Sequence, residues 1–336
     1  MFPREMTEKL KLLLQLPKPP PFIFGAPGIG KSEIVQQTAK ELGWNLIDVR
    51  LLLLDPTDLR GLPAVVDGKV KWLRQPFLPE EAIHGPRGIL FFDELNVAPP
   101  LVQASSYQIT VDRKIGEYKL PDGWRIVAAG NRTTDMAIVN RMPAPLISRF
   151  AIYTLDVSFD DWKIWAYAHN VHPMIVAFLN FRPGLLFDAP KDRDKSFPCP
   201  RSWFNLSEVM SVIKDANAED VSSCVGPGVS REFHAFMKIY EHLPSDPMEI
   251  LSRGTKFKEL DKQNALNGML IECFKAKREK DPSVCNAILK YAMDIQAEMS
   301  IMLIRDCMTI DAASIMKPDS EWRKWSQKYS AYNKRG

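Results

Sequence analysis

Short apolar runs and longer amphipathic stretches alternate along the chain, and the pattern changes character once, near residue 158. Residues 1–16 carry Leu10, Leu13 and Leu14 at helical spacing, which predicts a short amphipathic helix. Pro17, Pro19, Pro20 and Pro21 end it and lead into Phe22–Phe24, an apolar strand. A glycine-rich turn follows, then a helix to about Leu42. Trp44–Leu54, Gly88–Asp93, Trp124–Ala129 and Phe150–Val157 read as further strands. Asp67-Gly68 between Ala64-Val65-Val66 and Lys69–Trp72 predicts a hairpin, and Lys114–Gly123 a second one. Pro99 and Pro100 open a helix toward Val111.

Short apolar strands separated by helical patterns predict an α/β fold with a largely parallel sheet. Beyond Asp160 the pattern turns helical, in amphipathic segments such as Trp162–Phe181 and Glu232–Leu243. Trp162, Trp165, Tyr167, Phe178 and Phe181 are expected to be helix core, and Pro183–Pro200 a polar, proline-rich loop.

Composition narrows the function classes. With 336 residues the chain is long enough for about two domains at roughly 150 residues each. At 46% hydrophobic and 25% charged it has the balance of a folded protein. A formal charge of +3 speaks against a strongly basic nucleic-acid binder. Even that excess is local, because the tail from Lys317 holds six basic and two acidic residues. No stretch reaches the ~18 apolar residues that span a bilayer. The charged N-terminal segment does not read as a signal peptide, so a cytoplasmic protein without membrane partners is expected. The five cysteines are odd in number and form no CxxC pair, which predicts buried, reduced thiols. The five histidines show no metal-ligand spacing.

The chemistry-bearing signal is Gly25-Ala26-Pro27-Gly28-Ile29-Gly30-Lys31-Ser32, which fits G-x-x-x-x-G-K-[ST]. Glycines let backbone N–H groups close around phosphate oxygens at the start of a helix. In that pattern Lys31 reaches the β- and γ-phosphates of ATP and Ser32 binds Mg²⁺. Gly88–Asp93 then delivers two carboxylates at a strand's C-terminal end, where ligand sites of open α/β sheets lie. Asp93 is expected in the Mg²⁺ shell and Glu94 as the group that activates the attacking water.

On these residues the chain resembles an AAA+ ATPase, and within that group the MoxR branch of bacteria and their phages. The resemblance runs from about Pro17 to Phe204. Further matching segments are Asp55–Pro63, Asp93-Glu94-Leu95-Asn96, Ala128–Arg132, Ile147–Phe150 and Cys199–Trp203. It implies a P-loop three-layer sandwich over residues 1–157, a helical lid over 158–254 and a helical C-terminal extension over 255–336. No family counterpart aligns with that last segment. The resemblance also implies a sensor role for Asn131, an arginine finger at Arg149 and a second sensor at Arg201, with Arg132 and Arg141 as alternatives for the trans arginine. An insert at Gly61–Leu73 corresponds to a hairpin near a ring pore, with Val66 and Trp72 as candidate contacts. An ordinary hairpin packing its own tryptophan is an equal reading. The implied activity is Mg²⁺-dependent ATP hydrolysis by a homo-hexameric ring or a spiral. It would be coupled to remodelling of a protein partner, such as one containing a von Willebrand factor A domain. Two rival readings are a nucleic-acid-stimulated motor, against which the near-neutral charge argues, and a nucleotide-gated scaffold with little turnover, against which the full set of site residues argues.

Overall fold

The structure is a computed structural model that describes residues 1–132, 140–189, 195–244 and 246–330, with main chain only for Arg60, Val66 and Lys71. Two compact units result, one built on Met1–Ser158 and the other on Phe159–Asp188 and the described residues from 195 onward.

The first unit opens with α1 (Pro3–Leu13), β1 (Pro21–Phe24), α2 (Lys31–Leu42) and β2 (Asn45–Arg50). The short α3 (Pro56–Arg60), the hairpin β3 (Leu62–Val66) and β4 (Lys69–Leu73), and α4 (Glu81–His84) follow. Then come β5 (Gly88–Asp93), α5 (Pro100–Asp112), the small hairpin β6 (Lys114–Ile115) and β7 (Tyr118–Lys119), β8 (Trp124–Gly130), α6 (Ala144–Ile147) and β9 (Ala151–Thr154). Five strands form one sheet in the order β2-β5-β8-β1-β9, and every pair in it is parallel. Phe22, Leu90, Phe92, Ile126 and Ala128 face the same core as Val102 and Ile109 of α5. Ile23, Ile89, Phe91 and Val127 are buried on the opposite face, the side on which α2 packs across β2, β5 and β8. This is the three-layer P-loop AAA arrangement.

Central strands explain the runs of apolar residues. β5 is flanked by β2 and β8, so successive side chains enter opposite cores and all must be apolar. The apolar stretch after β2 behaves otherwise. Leu51–Leu53 form a 3₁₀ turn in which Leu51 is buried while Leu53 is 75% exposed. The strand therefore ends at Arg50, short of the expected Leu54.

The second unit is helical among its described residues. It comprises α7 (Phe159–Ala168), α8 (Pro173–Phe181), α9 (Pro200–Val212), α10 (Ala218–Val225), α11 (Pro227–Glu241), α12 (Pro247–Arg253), α13 (Leu260–Lys277), α14 (Ser283–Asp294), α15 (Ala297–Met316) and α16 (Asp319–Lys328). The segment Trp162–Phe181 divides between two helices, α7 and α8. Asn170 takes positive φ (55°), and Pro173 starts α8 behind His172, whose ring accepts from the Met174 N–H. Of the aromatic positions expected in the core, Trp162, Tyr167 and Phe178 are buried, while Trp165 and Phe181 are partly exposed. The cysteines are all free, and Cys224 is only partly buried. Among the described residues, no helix is long and apolar enough to cross a membrane.

Candidate functional site

The loop between β1 and α2 needs its glycines. Gly28 and Gly30 take positive φ (77° and 97°), a region costly for a side chain bearing Cβ. A Cβ on Gly25 would lie 2.6 Å from the Ile29 side chain. Gly30 caps α2, its carbonyl accepting from the Ile34 N–H at 3.0 Å. The loop therefore leads directly into the start of α2, where the helix dipole favours an anion.

Lys31, the first residue of α2, is 9% exposed. Its ammonium donates to the carbonyls of Gly25 (2.8 Å) and Ala26 (2.9 Å) and to Oδ1 of Asn131 (2.9 Å). The lysine thus ties the glycine loop to the C-terminal end of β8. Ser32 Oγ donates to Oδ2 of Asp93 at 2.7 Å across 61 residues of sequence. Oδ1 of Asp93 accepts from the Glu94 N–H at 2.9 Å. Glu94 sits at φ 56°, unusual for a residue with a side chain. This turn carries the chain off β5, and the Glu94 carbonyl accepts from the N–H groups of Val97 (2.9 Å) and Ala98 (3.2 Å).

The loop, Lys31, Ser32, Asp93, Glu94 and Asn131 thus share one end of the sheet. A hydroxyl and a carboxylate in contact are hard oxygen donors, the kind Mg²⁺ takes when phosphates and water complete its shell. Asp48 adds a group that the sequence reading passed over. Its neighbours in register, Phe91 and then Asp93 opposite Arg50, place it on the Asp93 face of the sheet. Although Asp48 is exposed, desolvation by the neighbouring strand and then the Asp93 and Glu94 charges raise its carboxyl above its ordinary value, with Arg50 opposing.

The arginines are more dispersed. Arg149 is exposed between α6 and β9, and Arg141 is exposed as well. Arg132 Nη1 pairs with Asp156 at 3.1 Å. Arg201 is the second residue of α9, exposed, in the other unit. In the hairpin β3–β4, Pro63 pairs with Trp72 and Val65 with Val70, so these side chains share one face. Val65 is 76%, Val70 65% and Trp72 47% exposed, so the hairpin does not bury its tryptophan. The side chain of Val66 lies outside the described residues.

Residues 20–150 match the family model described as "AAA domain (dynein-related subfamily)". Residues 20–150 are therefore an AAA domain. Three solved structures are similar to the chain over most of its length. A presumptive ATPase from Cytophaga hutchinsonii is 15% identical with a TM-score of 0.36, over 82% of this chain and 66% of that one, so this chain spans just under two thirds of it. The RuvB Holliday junction branch migration motor of Thermotoga maritima is 19% identical with a TM-score of 0.40, over 80% of each chain. NtrX from Brucella abortus is 14% identical with a TM-score of 0.40, over 90% of this chain and 67% of that one. At these values the likenesses assign no role to any residue of the AAA domain.

Proposed function

We propose that the AAA domain binds Mg²⁺–ATP at residues 25–32 and hydrolyses it within a homo-oligomer, a hexamer or a spiral, whose turnover remodels or assembles a partner protein. The observation that carries the site is the Ser32–Asp93 contact at 2.7 Å, which joins the phosphate loop to the strand bearing both carboxylates. Ala26, Gly28, Ile29 and Gly30 supply N–H groups to the phosphates, Pro27, which has none, shapes the turn, and Gly25, whose own N–H donates to the Gly130 carbonyl at 3.2 Å, starts the loop off β1. Lys31 exchanges part of its present carbonyl partners for phosphate oxygens. Ser32 and Asp93 would hold Mg²⁺, which would supply positive charge against the phosphate oxygens. Glu94 orients the attacking water and accepts its proton. Asn131 steadies that water or the γ-phosphate with its amide.

Arg149 acts from a neighbouring subunit, and Arg201 from the lid that begins the helical unit; planar guanidinium suits phosphate oxygens. The exposed apolar face of Val65, Val70 and Trp72 fits contact with a protein partner, in the manner of the MoxR-type chaperones that the sequence resembles. That partner is proposed to carry a von Willebrand factor A domain and to share a cytoplasmic location.

ATP binding and turnover of the full chain test the site. Lys31→Ala is expected to lose tight binding, while Glu94→Gln binds ATP and holds it without turnover. Wild-type turnover in Lys31→Ala would remove the assignment. Affinity capture with the ATP-held Glu94→Gln protein then tests the partner class; capture of no protein in that state, when the untrapped chain captures none either, counts against remodelling.

A further inference from the structure

Asn96 lies just beyond the carboxylate pair and is 4% exposed. Its Nδ2 donates to the Asn131 carbonyl at 2.7 Å, and its Oδ1 accepts from the Asn131 N–H at 3.0 Å. Turning the amide over would set donor against donor and acceptor against acceptor, so its orientation is fixed by both bonds. Its own carbonyl accepts from the Asn140 N–H at 2.7 Å. The Asn140 side chain in turn donates to the carbonyls of Val97 (3.1 Å) and Ala98 (3.0 Å).

The arrangement answers a geometric need. β5 and β8 pair as far as Phe92 and Ala128, and the Glu94 turn then takes the main chain away. The Leu95 N–H still reaches the Ala129 carbonyl at 3.0 Å. Asn131 would have no strand neighbour on that side, and the Asn96 side chain offers it the donor and acceptor that a strand would offer. Gly130 makes room for this. A Cβ there would lie 2.3 Å from Oδ1 of Asn96. Because Lys31 bonds to the Asn131 side chain at 2.9 Å, the main-chain clamp also sets where that amide meets the phosphate loop.

We infer that Asn96 is a positioning residue for ATP hydrolysis, holding Asn131 by both main-chain groups so that its side chain is aimed at the γ-phosphate end of the site. The inference rests on the ATPase reading above. A displacement of about 1 Å at a reacting centre can cost on the order of 10²-fold in rate. The ATP ground state, in contrast, is carried by the loop N–H groups and Lys31.

The test uses Asn96→Asp, which keeps size and the acceptor but sets an oxygen against the Asn131 carbonyl, and Asn96→Ala. Expected for both is a kcat at least tenfold lower, with ATP affinity within about threefold of wild type. In an Asn131→Ala background, either change should lower kcat no further, since the group being positioned is gone. Gly130→Ala should mimic the loss, because its Cβ displaces the Asn96 amide. Should Asn96→Ala fail to fold, the near-isosteric Asn96→Asp still decides. Unchanged kcat in Asn96→Asp, or a further fall on top of Asn131→Ala, overturns the positioning role. So does a fall in kcat matched by equal losses of ATP affinity and melting temperature. A wild-type chain that neither binds nor hydrolyses ATP defeats the ATPase reading instead, and is recognised before any Asn96 variant is made.

Discussion

Asp306 is fully buried on α15 and joins three helices of the second unit. Lys163 of α7, 12% exposed, reaches Oδ1 at 2.6 Å. Tyr167 Oη and Asn180 Nδ2 of α8 each donate to Oδ2 at 3.0 Å, and Lys163 also donates to Asn180 at 3.2 Å. Removing the carboxylate leaves an ammonium in low-dielectric surroundings and two donors without their charged acceptor. Breaking a buried pair from one side costs about 3–5 kcal/mol. The two hydrogen bonds share that acceptor, so their energies are contained in the figure rather than added to it. For a unit of this size each kcal/mol moves the melting temperature by about 2–4 °C. Asp306→Ala should therefore lower the helical unit's transition by roughly 6–20 °C, read by calorimetry and by urea unfolding of the full chain. The exchange of both partners, Lys163→Met with Asp306→Leu, removes the charges together and should recover most of the loss. The reasoning fails if Asp306→Ala costs under about 1 kcal/mol, or if the double exchange is no more stable than Asp306→Ala alone.

Three further outcomes bear on the AAA domain. Lys31→Ala and Arg149→Ala proteins, each inactive alone, should regain turnover when their subunits exchange, because some interfaces then pair an intact loop with an intact arginine; exchanged but inactive mixtures would shift the trans role to Arg132 or Arg141. Trp72→Ala should leave melting within about 0.5 kcal/mol and basal ATP turnover unchanged, as for an exposed side chain, while weakening partner remodelling; a large melting loss would place Trp72 in a packed core. Asp48, exposed but desolvated by the neighbouring strand and beside Asp93 and Glu94, has a folded-state pKa raised above its ordinary value, so its ionised form costs some stability as pH rises through that value. Asp48→Asn should therefore raise the melting temperature at neutral pH without divalent ions, and the gain should close as pH falls through the carboxylate range; a gain that persists at low pH would exclude charge as its cause.

Much of the sheet was legible because a central parallel strand admits little but apolar residues, and Gly88–Asp93 is such a run ended by charge. The hairpin β3–β4 was legible through its Asp-Gly turn, where Asp67 and Gly68 both take positive φ. The phosphate loop was legible because its conformation needs glycine at fixed places. Apolar runs are ambiguous at their ends, however. Leu51–Leu53 continue the pattern of β2 and yet leave the sheet, and composition alone does not separate a strand from the turn that follows it. Asn96 stood in plain view inside Asp93-Glu94-Leu95-Asn96, but its role depends on the point where β5 and β8 part company, which is a property of pairing and not of either segment. Asp48 carried no local signal at all, since its environment is created by a strand more than forty positions away.

The C-terminal segment shows where periodicity stops informing. The middle of α13, from Gln263 to Phe274, is mostly buried, with Gln263, Asn264, Asn267 and Gly268 as inaccessible as Leu266, Leu270 and Phe274. Its polar members bond inward: Gln263 to Asn267 (3.0 Å) and to Tyr291 (2.9 Å), and Asn267 to the Met299 carbonyl (3.1 Å). A helix segment that buries polar and apolar residues alike shows no clear amphipathic stripe to read. Gly268 makes the point most sharply. Glycine inside a helix costs about 1 kcal/mol relative to alanine, and from the sequence it looks like a flaw. In the fold, α8 crosses there, and a Cβ on Gly268 would stand 2.6 Å from that of Ala177. The residue that weakens the helix is what lets α8 approach. The cost therefore has meaning only with the neighbour in place, and the neighbour lies on the other side of residue 255, where the sequence had suggested a boundary.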